Sequence, residues 1–291
     1  MRRGSGRAGS DHGRRSIGPA PARVHGGWSG WRAAVGVCLL TLLAGCAPPD
    51  TPPALEDRIP GAVLEWLAPD TLRTTRLGAG VHYSYLWSAE GPWAVHAVQA
   101  ELRRCDLGLR TLRAEAREAG GVGREPVSSM VHRSEEAVLA AVNADFFTPE
   151  GAALGSEVVD GAVTVARARP GVAWRGDELP WIGAVRLEAD SLRTGWGISR
   201  EVPARGQGMV GGFPELLDRG RPVGDLGVAE RPGFAGSRHP RSAVAVDEDT
   251  GRLWLVVVDG RQPPYSVGMT LPEMVRLLEA LGVEEALNLD G

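Results

Sequence analysis

An α+β fold is predicted, a mixed β-sheet with a few helices that ends in a C-terminal β-α-β crossover. Three observations carry this. Residues 242–246 and 252–258 alternate or run apolar on either side of a polar turn at 247–251. A helix with start and stop signals follows at 270–281, and a further apolar strand occupies 286–289. Between 170 and 235 glycine and proline recur so often that only short strands fit.

Taken in chain order, residues 1–32 hold seven arginines against one acid, Asp11. An apolar run at 33–43 is too short to span a bilayer but suits a signal-peptide core. It ends in Leu43-Ala44-Gly45-Cys46, which looks like a bacterial lipobox. The competing readings are an ordinary signal peptide with a chance cysteine, or a short buried helix. The expected organisation is therefore a signal peptide over 1–45, lipidation of Cys46, a proline-rich flexible tether over 46–60, and a domain over 61–291. About 245 residues then remain, enough for one sizeable domain or for a small one beside a larger one.

Within that domain, residues 61–90 carry no clear pattern. Residues 92–114 read as two strands broken near 103–106, and Gly120, Gly121 and Gly123 as a loop. A short helix is expected at 126–132 and a buried strand at 137–142, which delivers Asn143-Ala144-Asp145-Phe146-Phe147 at its end. Asp160-Gly161 is a hairpin turn. The strand at 252–258 is apolar throughout and should be central. The C-terminal helix has Thr270 as cap, Glu273 closing a capping box, Pro272 in the first turn and Gly282 as stop. Its stripe Met274, Leu277, Leu278 and Leu281 belongs to the core. Strand, helix and strand of this length bring Asp259 and Asp290 to one edge of the sheet.

Composition narrows the chemistry. The net charge of −4 offers no basic surface for nucleic acid. All 32 basic residues are arginine, which excludes lysine Schiff bases and phosphate-loop lysines. With Cys38 in the signal and Cys46 as anchor, Cys105 is expected to pack as a lone thiol in a strand, and a cysteine-ligated zinc is excluded. Only two asparagines (Asn143, Asn288), three tyrosines and four phenylalanines survive a bias against those types. Asn143 lies beside Phe146 and Phe147, and Asn288 beside Asp290, so two sites are indicated. Asp145, Asp259 and Asp290 are the catalytic candidates, each after an apolar run, with Arg241 and Arg261 flanking the Asp259 strand. Arginine forks grip an anion, while carboxylates transfer protons or hold a divalent cation. Arg238 reads as a solvated surface charge and His239 as a weak candidate. Asp160 and Asp247 read as turn residues, and a turn role is an open alternative for Asp259 and Asp290 taken singly.

The ordered set Arg238-His239-Pro240-Arg241-Ser242, Asp259-Gly260-Arg261, Gly268-Met269-Thr270-Leu271-Pro272-Glu273 and Asn288-Leu289-Asp290-Gly291 resembles the phosphodiester glycosidase family. Asn143-Ala144-Asp145-Phe146-Phe147 is similar to that family's Asn-Gly-Gly-Phe-Phe stretch, and Gly211-Gly212-Phe213-Pro214-Glu215-Leu216 to its Gly-Gly-x-Pro-x-Leu segment. The resemblance covers about residues 90–291. It implies hydrolysis of a glycosidic bond to a phosphodiester or similar anionic group on an envelope glycopolymer. Arg241, Arg261, Asn143, Asn288 and Thr270 would then contact substrate, with Asp259, Asp290 and Asp145 as acid, base or cation holder. Three departures stand out: Ala144 and Asp145 replace glycines, Ser242 replaces threonine, and the chain stops at Gly291 where the family continues Gly-Gly-Ser. The last suggests a truncated C-terminus lacking a phosphate-cradling glycine loop. The rival reading is a non-catalytic module that binds envelope glycans.

Overall fold

Residues 243–246 and 253–258 build the centre of the molecule because every side chain in them is apolar, fit for burial in a sheet. The computed structural model describes residues 59–115, 123–176, 178–188, 191–195, 197–199 and 206–291. The expected signal segment, Cys46, nearly all of the tether and the Gly120–Gly121 pair lie outside the described residues.

The elements run as follows. Helix α1 (Gly61–Leu67) leads into β1 (Thr71–Gly78), β2 (Val81–Ser88) and β3 (Trp93–Glu101), followed by α2 (Val127–His132). Short strands come next: β4 (Glu157–Val159), β5 (Ala162–Val165), β6 (Gly171–Trp174), β7 (Trp181–Gly183), β8 (Arg186–Glu188), β9 (Ser191–Arg193) and β10 (Gly197–Ser199). Then follow β11 (Gly208–Gly211), β12 (Glu215–Asp218), β13 (Arg221–Pro222), α3 (Pro232–Ala235), β14 (Arg241–Asp247), β15 (Arg252–Val258), α4 (Leu271–Leu281) and β16 (Glu285–Leu289). Among the described residues the main sheet has eight strands in the order β1-β2-β3-β15-β14-β16-β12-β13. A second sheet has the order β5-β4-β11-β6-β7, and a small third one β10-β9-β8.

The α+β prediction holds, and the crossover forms with one addition. β15 and β16 are both antiparallel to β14, so they run parallel to each other with β14 between them. Both therefore end at the same edge, which puts Asp259 and Asp290 about 10 Å apart by the usual strand spacing. One face of the main sheet packs Trp254, Val256, Val258, Ala243 and Ala245 against α1 and the α4 stripe. The opposite face buries Val244, Val246, Leu253, Leu287 and Leu289 against Val172, Trp174 and Ile182 of the second sheet. α4 has the capping box, with Thr270 Oγ1 accepting from Glu273 N–H, and Gly282 closes it in the left-handed region at φ 75°. Asp160 and Gly161 form the expected turn, both at positive φ.

Three expectations fail. Residues 107–114 and 137–142 form no strands. No residue of either run is fully buried, Leu139 being 40% exposed, so neither gains the burial that would fix it in a sheet. Cys105 lies exposed in a turn after β3 rather than packed in a strand. The previously unassigned 61–90 forms α1, β1 and β2.

Candidate active site

The two Asp-Gly pairs that end β15 and β16 clasp one backbone segment. A Cβ on Gly260 would sit 2.5 Å from Pro240 N, and one on Gly291 2.3 Å from Pro240 O. Only glycine allows these approaches, which hold Asp259 and Asp290 on either side of the β14 start.

Asp290 N–H donates to Ala144 O at 2.9 Å, which joins the strand end to the Asn143–Phe147 stretch. Asp145 next to it is wedged between Gly155 and Gly211, where an added Cβ would lie 2.8 and 2.7 Å from its Oδ2. Gly155 N–H donates to that Oδ2. Asp145 Oδ1 is buried and has no hydrogen-bond partner among the described residues. Burial pushes the Asp145 carboxyl above its ordinary value, opposed by the Gly155 bond and the Arg169 charge and assisted by Asp290. Burial raises Asp290 as well, while its backbone bond and the Arg261 charge pull it down. Asn143, Asp145 and Asp290 lie on the wall of one cavity of about 870 Å³, lined also by the sheet and by residues of 106–114 and 123–144.

Arginine and phenylalanine complete this side. The Arg169 guanidinium lies 5.5 Å from the Phe146 ring centre and 5.1 Å from that of Phe213. Arg231 lies 5.0 Å from the same Phe213 ring. Phe234 meets Phe146 edge-on and stacks on Phe213 at centroid distances of 5.8 and 6.5 Å. Burial holds Arg169 below the ordinary guanidinium value, against the pull of Asp145.

Asp259 sits in a different network. Its Oδ2 is 3.2 Å from His96 Nε2 and accepts from Tyr265 OH at 3.1 Å. His96 Nδ1 is 2.7 Å from Tyr83 OH. Tyr85 OH donates to Tyr265 OH at 3.4 Å, and this bond, then burial and the Asp259 contact, holds the Tyr265 phenol above its ordinary value. All three tyrosines of the chain thus converge on one carboxylate. Arg261, at φ 57°, reaches His239 Nδ1 at 3.2 Å, and its charge acts on Asp290.

Three residues expected to touch substrate are committed elsewhere. Arg241 is 2% exposed and donates to the carbonyls of Met269, Phe234 and Ser237, with burial lowering it to about 10. Its guanidinium replaces the hydrogen bonds of a loop rather than meeting an anion. Asn288 is fully buried and its Nδ2 donates to the carbonyls of Phe213 and Leu289, although its Oδ1 has no partner among the described residues. Thr270 is spent on the α4 cap. Arg238, read as a free surface charge, pairs with Glu273 at 2.7 Å. Asn143, exposed at the mouth of the cavity, and Arg261 remain available. The residues not foreseen are His96, Tyr83, Tyr265, Arg169, Phe213 and Phe234. The rarity that singled out asparagine applies equally to tyrosine and phenylalanine, and would have found most of them. Among the described residues no group of three or more His, Cys, Asp or Glu is placed to hold a metal ion.

The sequence profile described as phosphodiester glycosidase matches residues 136–291, more than half of the chain. No curated protein sequence matches. A hypothetical protein from Synechocystis is similar in structure at TM-score 0.58 and 19% identity, over 76% of this chain and 58% of that one. This chain therefore spans less than two thirds of that protein. An exported protein described as putative, from Burkholderia pseudomallei, is similar at TM-score 0.50 and 21% identity, over 73% and 69%. The catalytic domain of zebrafish N-acetylglucosamine-1-phosphodiester alpha-N-acetylglucosaminidase, auto-inhibited by its pro-peptide, gives TM-score 0.45 at 19% identity, over 76% and 71%.

Proposed function

The chain belongs to the phosphodiester glycosidase family, and from that premise we propose that it hydrolyses a glycosidic bond to a phosphodiester or similar anionic group on an extracytoplasmic glycopolymer. One observation carries the reading. Asp145 and Asp290 face one cavity, both raised by burial, with Arg169 and Arg261 close enough to act on their charges. Two carboxyls facing one cavity can divide the work, one giving a proton to a departing oxygen and the other taking one from water. Guanidinium groups on either side draw in an anion and favour its release as one. Export and anchoring rest on the arginine-rich start and the Leu43–Cys46 lipobox.

Release of reducing sugar from a set of sugar-1-phosphodiesters tests the reading. Asp290→Asn keeps the shape but cannot carry a proton, so kcat should fall by about 10²–10⁴. Arg261→Ala should raise KM more for charged than for neutral glycosides. No hydrolysis by the parent protein, with Asp290→Asn binding glycan equally well, would make the chain a glycan-binding module.

A further inference from the structure

The β1–β2 hairpin is inverted relative to an ordinary half-buried ribbon. On β2 the side buried in the molecule carries His82, Ser84 and Ser88 beside Leu86, while the half-exposed side carries Tyr83, Tyr85 and Trp87. Aromatic side chains normally supply the buried face, because they remove the most apolar area from water. β1 extends the open side, since Thr71 pairs with Trp87 and Arg73 with Tyr85. Thr71, Arg73, Tyr85, Trp87 and Tyr265 line a shallow depression of about 340 Å³.

The rings are fixed by their polar ends. Trp87 Nε1–H donates to Tyr265 O at 2.9 Å, and the phenols of Tyr85 and Tyr265 bond to each other and then to Asp259. Rings so held lose little freedom when a ligand arrives. Their faces suit the C–H surface of a pyranose, the hydroxyls of Thr71 and the tyrosines suit its polar rim, and exposed Arg73 suits a carboxylate or phosphate.

We propose that this aromatic depression is a second binding site, taking an acidic pyranose unit of a glycan and delivering the chain past Asp259 toward the Asp145–Asp290 cavity. The inference rests on the glycosidase reading for the identity of the ligand as glycan, but binding here needs no hydrolysis. The probe is an array of neutral, uronic-acid-bearing and phosphate-bearing oligosaccharides, read with the intact protein. The parent should retain acidic oligosaccharides. Tyr85→Ala should weaken them about tenfold, the scale of one lost ring contact, and Tyr85→Phe much less. Arg73→Ala should weaken acidic oligosaccharides while leaving neutral ones unchanged, and because Arg73 is exposed this variant keeps the test valid if Tyr85→Ala unfolds. Retention of nothing on the array, or acidic binding untouched by Arg73→Ala, overturns the proposal. Binding that behaves as expected in a protein without hydrolytic activity overturns the glycosidase reading alone.

Discussion

Glu285 shows how position alone sets the acidity of a single group. It opens β16 at the end opposite Asp290, half-buried and accepting from Arg219 N–H at 3.0 Å. Burial, with Asp218, Glu248 and Glu215 nearby, pushes it up to about 7. A carboxyl raised in the folded state binds more protons folded than unfolded between its two pKa values. Its favourable contribution is thus complete below about pH 4 and lost as pH rises through about 7. Glu285→Gln, an uncharged mimic, should gain stability over the parent at pH 8 and lose that advantage at pH 4, read as Tm at each pH. An equal difference at both values would show that Glu285 is an ordinary surface carboxylate. Asp145 and Asp290 share the same direction of shift, but there two glycines and an arginine frame place the raised groups where chemistry can use them. Their candidacy was legible in the sequence as acids beside scarce residue types. Arg169 was not, because an arginine in a chain with no lysine carries no signal by itself.

The helix α4 was legible in full because its signals are local: cap, capping box, early proline, apolar stripe and terminal glycine all act within one or two turns. Thr270 received two roles from the sequence, cap and substrate contact, and the cap uses its hydroxyl. Thr270→Ala should cost about 1 kcal/mol, seen as a Tm lower by roughly 2–4 °C, with glycan binding unchanged. Loss of binding at unchanged Tm would return Thr270 to the site. Strands behave differently. The apolar run at 137–142 has the composition of a strand, yet it lies on the wall of the cavity with none of its residues fully buried and pairs with no strand. Pairing partners lie far away in sequence, so a strand's existence depends on competition that no local pattern records.

At the scale of the whole molecule, the proposed export address is the arginine-rich start, the apolar run and Leu43-Ala44-Gly45-Cys46. Cys46→Ser should abolish acyl labelling and shift the protein to unprocessed precursor, and a mature N-terminus mapped elsewhere without lipid would refute the anchor. Among the described residues no helix is long and apolar enough to cross a membrane. By itself the sequence determined the α+β class, the hairpin and crossover at the C-terminus, and the carboxylates that end its strands, because hydrophobic period, turn chemistry and caps are read within a few residues. Only the tertiary structure decided which polar groups remain free for a ligand. It turned Arg241 and Asn288 inward to satisfy buried carbonyls, and gathered His96 and three tyrosines around Asp259. A buried polar group must be paired, and its partner is whatever the fold brings within about 3 Å, a fact set by packing rather than by spacing along the chain.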